Sequence, residues 1–224
     1  MITAERLREI AFWSAELTPE EIERARRGIT EKSFAKGAYI CHKGDKLDAW
    51  TGVISGLVRL GTVSQKGKSV TLAGMRAGIW FGEGSVLKKE PRQYDLVALR
   101  DVKLAMMGSA TFFWLFENSA GFNRFLVKQF NERIGQFIAL VEFDRSLDAT
   151  GKVARNIAWL CNPVLVPKAD NNLDITQEEI GLISGVSRQA VNGALQVLEN
   201  KKLLRVGHGG ITILDLEALS RYEE

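Results

Sequence analysis

The hydrophobic positions of this chain change their period along its length. From residue 3 to about 26 they recur at helical spacing, in two pieces. Leu7, Ile10 and Phe12 share a broad apolar side, and LTPEEI restarts the pattern with Thr18 as cap, Pro19 in the first turn and Glu21 placed for a capping box. From Phe34 to Met107 the texture differs. Runs such as GLVRLGTV, SVTLAGM and YDLVALRDVKLAMM alternate or are rich in β-branched residues, and ten glycines between Gly37 and Gly84, Gly67 among them, punctuate them. So many turn signals at short intervals predict antiparallel β structure, closed or rolled so that its edges are covered, with no helix of ordinary length.

Helical periodicity then returns. Residues 109–117 predict a short helix, and residues 119 to about 145 a long one, with Phe122, Leu126, Gln129, Phe130, Arg133, Ile134, Phe137, Ile138 and Val141 three and four apart. Apolar residues occupy more of this surface than one domain's core needs. The economical partner is a copy of the same helix in a parallel dimer. FDRSLDATGKVARNIAWL marks a change of domain, which divides the chain into 1–146 and 147–224. Gly151 is expected to end an element near the hinge, and a helix from about Lys152 to Leu160 to open the second domain. CNPVLVPKADNNLD reads as a loop with room for one strand, because its prolines and Asn-Asn pair resist continuous helix.

The most informative stretch is ITQEEIGLISGVSRQAVNGALQVLENKKLLRVGHGGITIL, from Ile175 to Leu214. Thr176 with Glu179 forms a capping box for a helix to about Ile183, SGVS is a tight turn, and Ser187 caps the next helix. Val191, Ala194, Leu195 and Leu198 make that helix's core stripe, whereas Arg188, Gln189, Asn192 and Gln196 lie off it. Two helices about so short a glycine-containing turn are the signature of a helix-turn-helix, and the strand, glycine turn and strand that follow read as a wing with His208 at its turn. Arg188 can reach guanine O6 and N7, and Gln189 or Asn192 can offer paired donor and acceptor to adenine. The helix N-termini at Thr176, Gln177 and Ser187 present amides to backbone phosphates.

Composition adds little to this. The 224 residues are 46% hydrophobic and 25% charged, the texture of a folded globular chain, and net charge is only +3. Residues 151–224 carry 8 Lys or Arg against 9 Asp or Glu, so a DNA-binding reading rests on pattern and not on charge. Two well-separated cysteines, Cys41 and Cys161, suit thiols in a reducing cytoplasm better than a disulfide. With His42 and His208 the only histidines, no zinc, iron–sulfur or haem site is expected. No apolar run reaches membrane-spanning length, and the charged N-terminus lacks a signal peptide's apolar core, so the expected location is the cytoplasm, with no membrane partner. No nucleophile–base pair, metal cluster or phosphate loop points to an enzyme. The alternative to a DNA reader is a winged domain that binds another protein.

The chain resembles the cyclic-AMP receptor and fumarate–nitrate reductase regulator (CRP/FNR) family of bacterial transcription factors. ITQEEIGLISGVSRQAVNGALQVLE is similar to its helix-turn-helix, LDATGKVARNIAWL to its interdomain segment, and GAYICHKGD, VISGLVRL and AGIWFGEGSVL with PRQYDLVAL to its β-roll sensor. The resemblance implies an α+β chain: an N-terminal antiparallel β-roll of the cyclic-nucleotide-binding type (a double-stranded β-helix), a long dimerisation helix, and a C-terminal winged helix-turn-helix. It implies a homodimer on a pseudo-palindromic DNA site, with RNA polymerase a further partner for an activator. The family's ribose- and phosphate-holding positions match Gly82, Glu83, Arg92 and Gln93, and its base-contacting helix positions match Phe137 and Ile138. Gln93 departs from a small hydroxyl residue, Tyr94 brings a large ring, and Phe137 and Ile138 cannot hydrogen-bond a base. The resemblance therefore leaves room for a small-molecule effector and counts against cyclic AMP as that effector. Gly193 also departs, standing where the family places a base-contacting side chain.

Overall fold

The computed structural model describes residues 1–63, 69–167 and 171–222; the turn expected at Gly67 and residues 168–170 of the expected loop lie outside the described residues. The N-terminal helices are α1 (Ala4–Ile10), a 3-10 turn (Phe12–Glu16) and α2 (Pro19–Arg27). The α2 capping box forms as its sequence requires. Thr18 N–H donates to Glu21 Oε2 at 2.8 Å, and Glu21 N–H donates to Thr18 Oγ1 at 3.3 Å.

Eight strands follow: β1 (Ile29–Phe34), β2 (Tyr39–Cys41), β3 (Ala49–Ser55), β4 (Leu57–Val63), β5 (Ser69–Arg76), β6 (Trp80–Phe81), β7 (Asp95–Ala98) and β8 (Val102–Gly108). They form two four-stranded sheets, ordered β1–β8–β3–β6 and β2–β7–β4–β5. In the first, β8 runs antiparallel to both neighbours, pairing Ile29 with Met107 on one side and Trp50 with Met107 on the other. These sheets are the expected β-roll. One helical turn was not foreseen. Residues Glu83–Lys88 form α3, entered through Gly82 at φ +94°, a left-handed conformation that glycine adopts without strain. Its six residues are too few to show a helical period in sequence.

Helix α4 (Ser109–Asn118) leads into α5 (Ala120–Ser146), 27 residues long and hence about 40 Å. Helix α6 (Ala149–Leu160), the strand β9 (Asn172–Leu173), α7 (Gln177–Ser184), α8 (Arg188–Asn200), the hairpin β10 (Leu204–Gly207) and β11 (Gly210–Ile213), and α9 (Leu216–Ser220) complete the winged helix-turn-helix. Gly151 does not end an element. It lies buried inside α6, where a Cβ would come within 2.9 Å of Leu147, and Asp148 caps the helix by accepting from Gly151 N–H at 2.8 Å. The glycine serves close packing here, a use that its position in sequence cannot distinguish from a helix stop.

The chain forms two compact units, one of Met1–Thr62 with Met75–Asn131, the other of Val63–Gly74 with Glu132–Glu224, so the division falls within α5. The first unit packs its N-terminal helices, α4 and the start of α5 against the β1–β8–β3–β6 sheet. An aromatic cluster fills the centre: Trp13 lies 5.1 Å from Trp50, 5.2 Å from Trp80 and 5.5 Å from Phe122, ring centre to ring centre. Trp80 also donates its indole N–H to the Ile10 carbonyl at 3.2 Å, tying the sheet to the end of α1. In the second unit, α6, α7 and α8 share a core that includes Val153, Ile157, Ile180, Ile183, Val191 and Leu195. Among the described residues, no helix is long and apolar enough to cross a membrane. Replacing Trp13 by Ala removes the ring at the centre of the first core and is expected to cost about 3–5 kcal/mol. Chemical denaturation followed by fluorescence checks it, and an unchanged midpoint contradicts it.

Candidate nucleic-acid interface and effector pocket

The interface is built on caps. Thr176 Oγ1 accepts from Glu179 N–H at 3.2 Å while Thr176 N–H donates to Glu179 Oε2 at 2.8 Å, which starts α7. Gly185, at φ +67°, ends α7, and Ser187 Oγ accepts from Ala190 N–H at 3.2 Å to start α8. The turn is short because Val186 N–H donates back to the Gly181 carbonyl at 3.2 Å. Gly181 is itself buried, and a Cβ there would approach the Val186 carbonyl oxygen to 3.0 Å.

Helix α8 then shows two unlike faces. Val191, Ala194, Leu195 and Leu198 are buried, whereas Arg188, Gln189, Asn192, Gly193 and Gln196 are exposed. The wing hairpin pairs Leu204 with Ile213 and Gly207 with Gly210, leaving His208 and Gly209 as an exposed two-residue turn. Val206 N–H donates to Glu199 Oε1 at 2.9 Å, which fastens the wing to α8. All eight sequence-predicted DNA-facing residues (Thr176, Gln177, Ser187, Arg188, Gln189, Asn192, Gln196 and His208) thus belong to one unit, and only Gln177 is half-buried. Arg205, exposed on β10, is a cation that pattern reading passed over. Strand alternation in LLRVG is the signal that places it outward.

The β-roll brings Gly82 and Arg92 together and leaves Gln93 out. Arg92 is not a surface residue: it is 0% exposed, donates from Nη2 to the Ala49 carbonyl at 2.5 Å and from Nη1 to Tyr94 Oη at 3.1 Å. Its guanidinium lies so close to Gly82 that a Cβ there would stand 2.0 Å from Nη1. Glu83 is 5% exposed at the start of α3. Gln93 is exposed and donates to the Pro91 carbonyl at 3.1 Å. Phe137 and Ile138 belong to the second unit and stand 65% and 61% exposed on α5. The Ala49 acceptor carries no sequence signal, because a backbone carbonyl on a distant strand is the same whatever residue bears it.

Comparison with known proteins agrees with this arrangement. A family model described as a cyclic nucleotide-binding domain matches residues 31–119, and one described as a Crp-like helix-turn-helix domain matches residues 151–222. The chain belongs to the CRP/FNR family of transcriptional regulators. It is 28% identical over 187 residues to the cAMP-activated global transcriptional regulator Vfr of Pseudomonas aeruginosa, covering 81% of this chain and 85% of that one. It is 26% identical over 203 residues to the cyclic AMP receptor protein of Thermus thermophilus, covering 91% and 92%. A solved CRP/FNR-family transcriptional regulator, also from Thermus thermophilus, superposes with a TM-score of 0.55 at 26% identity, over 86% of this chain and 97% of that one. This CRP/FNR chain is accordingly a DNA-binding transcriptional regulator with a cyclic-nucleotide-binding-like fold at its N-terminus.

Both cysteines of the regulator are buried thiols, outside any disulfide. Burial pushes the Cys41 thiol up to about 11, and the nearby Arg92 guanidinium offsets that only in part. At pH 8 roughly a thousandth of Cys41 is therefore thiolate in the folded chain. In a Cys161→Ser background, iodoacetamide at pH 8 is expected to label the native protein far more slowly than the unfolded chain, with the native rate rising only toward pH 11. Equal rates would show that Cys41 is not sequestered.

Proposed function

We propose that the regulator acts as a homodimer, joined along α5, which reads a pseudo-palindromic operator with α8, and that an effector held by its roll is not cyclic AMP. The observation that carries the DNA reading is the division of α8. A buried stripe sets the helix's rotation, and that rotation turns Arg188, Gln189, Asn192 and Gln196 outward together. Arg188, in the first turn, offers a fork of donors that suits guanine O6 and N7, and Gln189 or Asn192 suits adenine. Thr176, Gln177, Ser187 and the wing at His208 supply phosphate contacts that set the docking register, and Arg205 adds a charged one. The nearly balanced charge of residues 151–224 makes these directional contacts, more than a general field, the source of affinity.

The dimer reading rests on exposure along α5. Val127, Ile134 and Val141 repeat every seven residues, with Phe137 and Ile138 between the last two, and all five are exposed large apolar side chains. A seven-residue apolar repeat left uncovered on a helix suits a second copy of that helix. The effector reading rests on Arg92, which gives one N–H of each Nη to Ala49 and Tyr94, and on Phe137 and Ile138, which offer a base no hydrogen bond. RNA polymerase becomes a third partner where the regulator activates.

Selection from a randomised duplex library at near-physiological salt, with and without cyclic AMP, tests the reading. The expected outcome is one palindromic consensus in both arms. A consensus only with the nucleotide would overturn the effector reading, and no consensus in either arm, together with no retention of duplex DNA at low salt, would overturn the operator reading. Arg188→Ala is expected to cost about 1–3 kcal/mol on the selected site and little on random DNA. Phe137→Glu is expected to give a folded monomer in analytical ultracentrifugation; a persistent dimer would remove α5 from the interface.

A further inference from the structure

Arg92 is an unusual buried charge. It is 0% exposed, and among the described residues no carboxylate pairs with it. Its Nε is buried without a hydrogen-bond partner. Taking a guanidinium out of water without a counter-anion is costly, and neutral oxygens repay only part of that cost. Two such oxygens are in place, the Ala49 carbonyl and the Tyr94 hydroxyl. The Tyr94 oxygen is the only one of the two that a side chain supplies. Tyr94 lies two residues beyond Arg92, at a bend just before β7, where its hydroxyl comes within 3.1 Å of Nη1. Its ring also lies 6.0 Å from the guanidinium carbon, close enough for the aromatic face to favour the cation.

We propose that Tyr94 is a built-in cap on Arg92, a specificity-determining residue whose hydroxyl stands in for the phosphate oxygen of a cyclic nucleotide and keeps the roll closed to that ligand class. The proposal rests on the reading that cyclic AMP is not the effector, and it names the side chain responsible. The cap works through two effects. Its hydroxyl accepts one N–H of Nη1, which lowers what an incoming phosphate can gain, and its ring occupies space beside the guanidinium. Gly82 supports the arrangement, because any side chain there would collide with Nη1 and push the guanidinium out of place. Removing the cap leaves a buried cation with one neutral acceptor and no anion, a site that takes a phosphate monoanion.

The test is isothermal titration of cyclic AMP into the full-length chain and three variants, Tyr94→Ala, Tyr94→Phe and the double variant Tyr94→Ala with Arg92→Gln. The wild type is expected to bind weakly. Tyr94→Ala is expected to bind about tenfold tighter or more, and the double variant to lose that gain. Tyr94→Phe keeps the ring and removes only the acceptor, so it is expected to show a smaller gain and serves if the alanine variant does not fold. Folded Tyr94 variants that bind no tighter than a weakly binding wild type would overturn the cap while leaving the effector reading intact. A gain that survives Arg92→Gln would also overturn it. A wild type that binds as tightly as Tyr94→Ala would overturn both.

Discussion

A helix can read the edges of base pairs only if its rotation about its own axis is set, because a turn of one residue replaces every side chain it presents. In this regulator the constraint is the burial of Val191, Ala194, Leu195 and Leu198 against α6 and α7. Each large side chain of the stripe contributes about 1.5–3 kcal/mol when taken out of water, so the stripe outweighs anything the polar residues on the other face gain from solvent. Everything else in the second unit serves that packing. The capping box at Thr176 starts α7, the left-handed Gly185 stops it, Ser187 starts α8, and Glu199 fastens the wing to the same helix.

Helix α5 meets a related constraint differently. Phe122, Phe125 and Leu126 are buried in the aromatic core of the first unit, whereas Ile134, Phe137 and Ile138 stand exposed. One continuous helical pattern therefore serves two environments in succession, and the compact units divide at Asn131. The change of environment along a single helix explains why its apolar residues cover more surface than the first core takes up.

The roll illustrates how much a buried charge depends on its surroundings. Gly82, Glu83 and Arg92 are chemically suited to a sugar and a phosphate, yet the guanidinium is committed to oxygens of its own chain. The same charge lies close enough to lower the Cys41 thiol, and burial still prevails in that balance.

Local chemistry was legible in the chain by itself. Capping boxes at Thr18 and Thr176, the glycine turn at Gly185, the helical stripe of α8 and the wing hairpin all involve residues within a few positions of one another, and near-neighbour interactions leave near-neighbour patterns. The antiparallel roll was legible as a class, from alternation and turn spacing. Its strand order was not, because pairing between β1 and β8 joins residues that lie far apart in the chain, such as Ile29 and Met107. The six residues of α3 were too few to show a period, and Gly151 looked like a helix stop because packing against Leu147 leaves no mark in sequence. The candidate site divides in the same way. Which side chains α8 displays was determined by sequence, since one stripe fixes the opposite face. That Arg92 is buried, and donates to Ala49 and Tyr94, was decided only by tertiary structure, because burial belongs to whatever the fold brings around a residue and not to the residue itself.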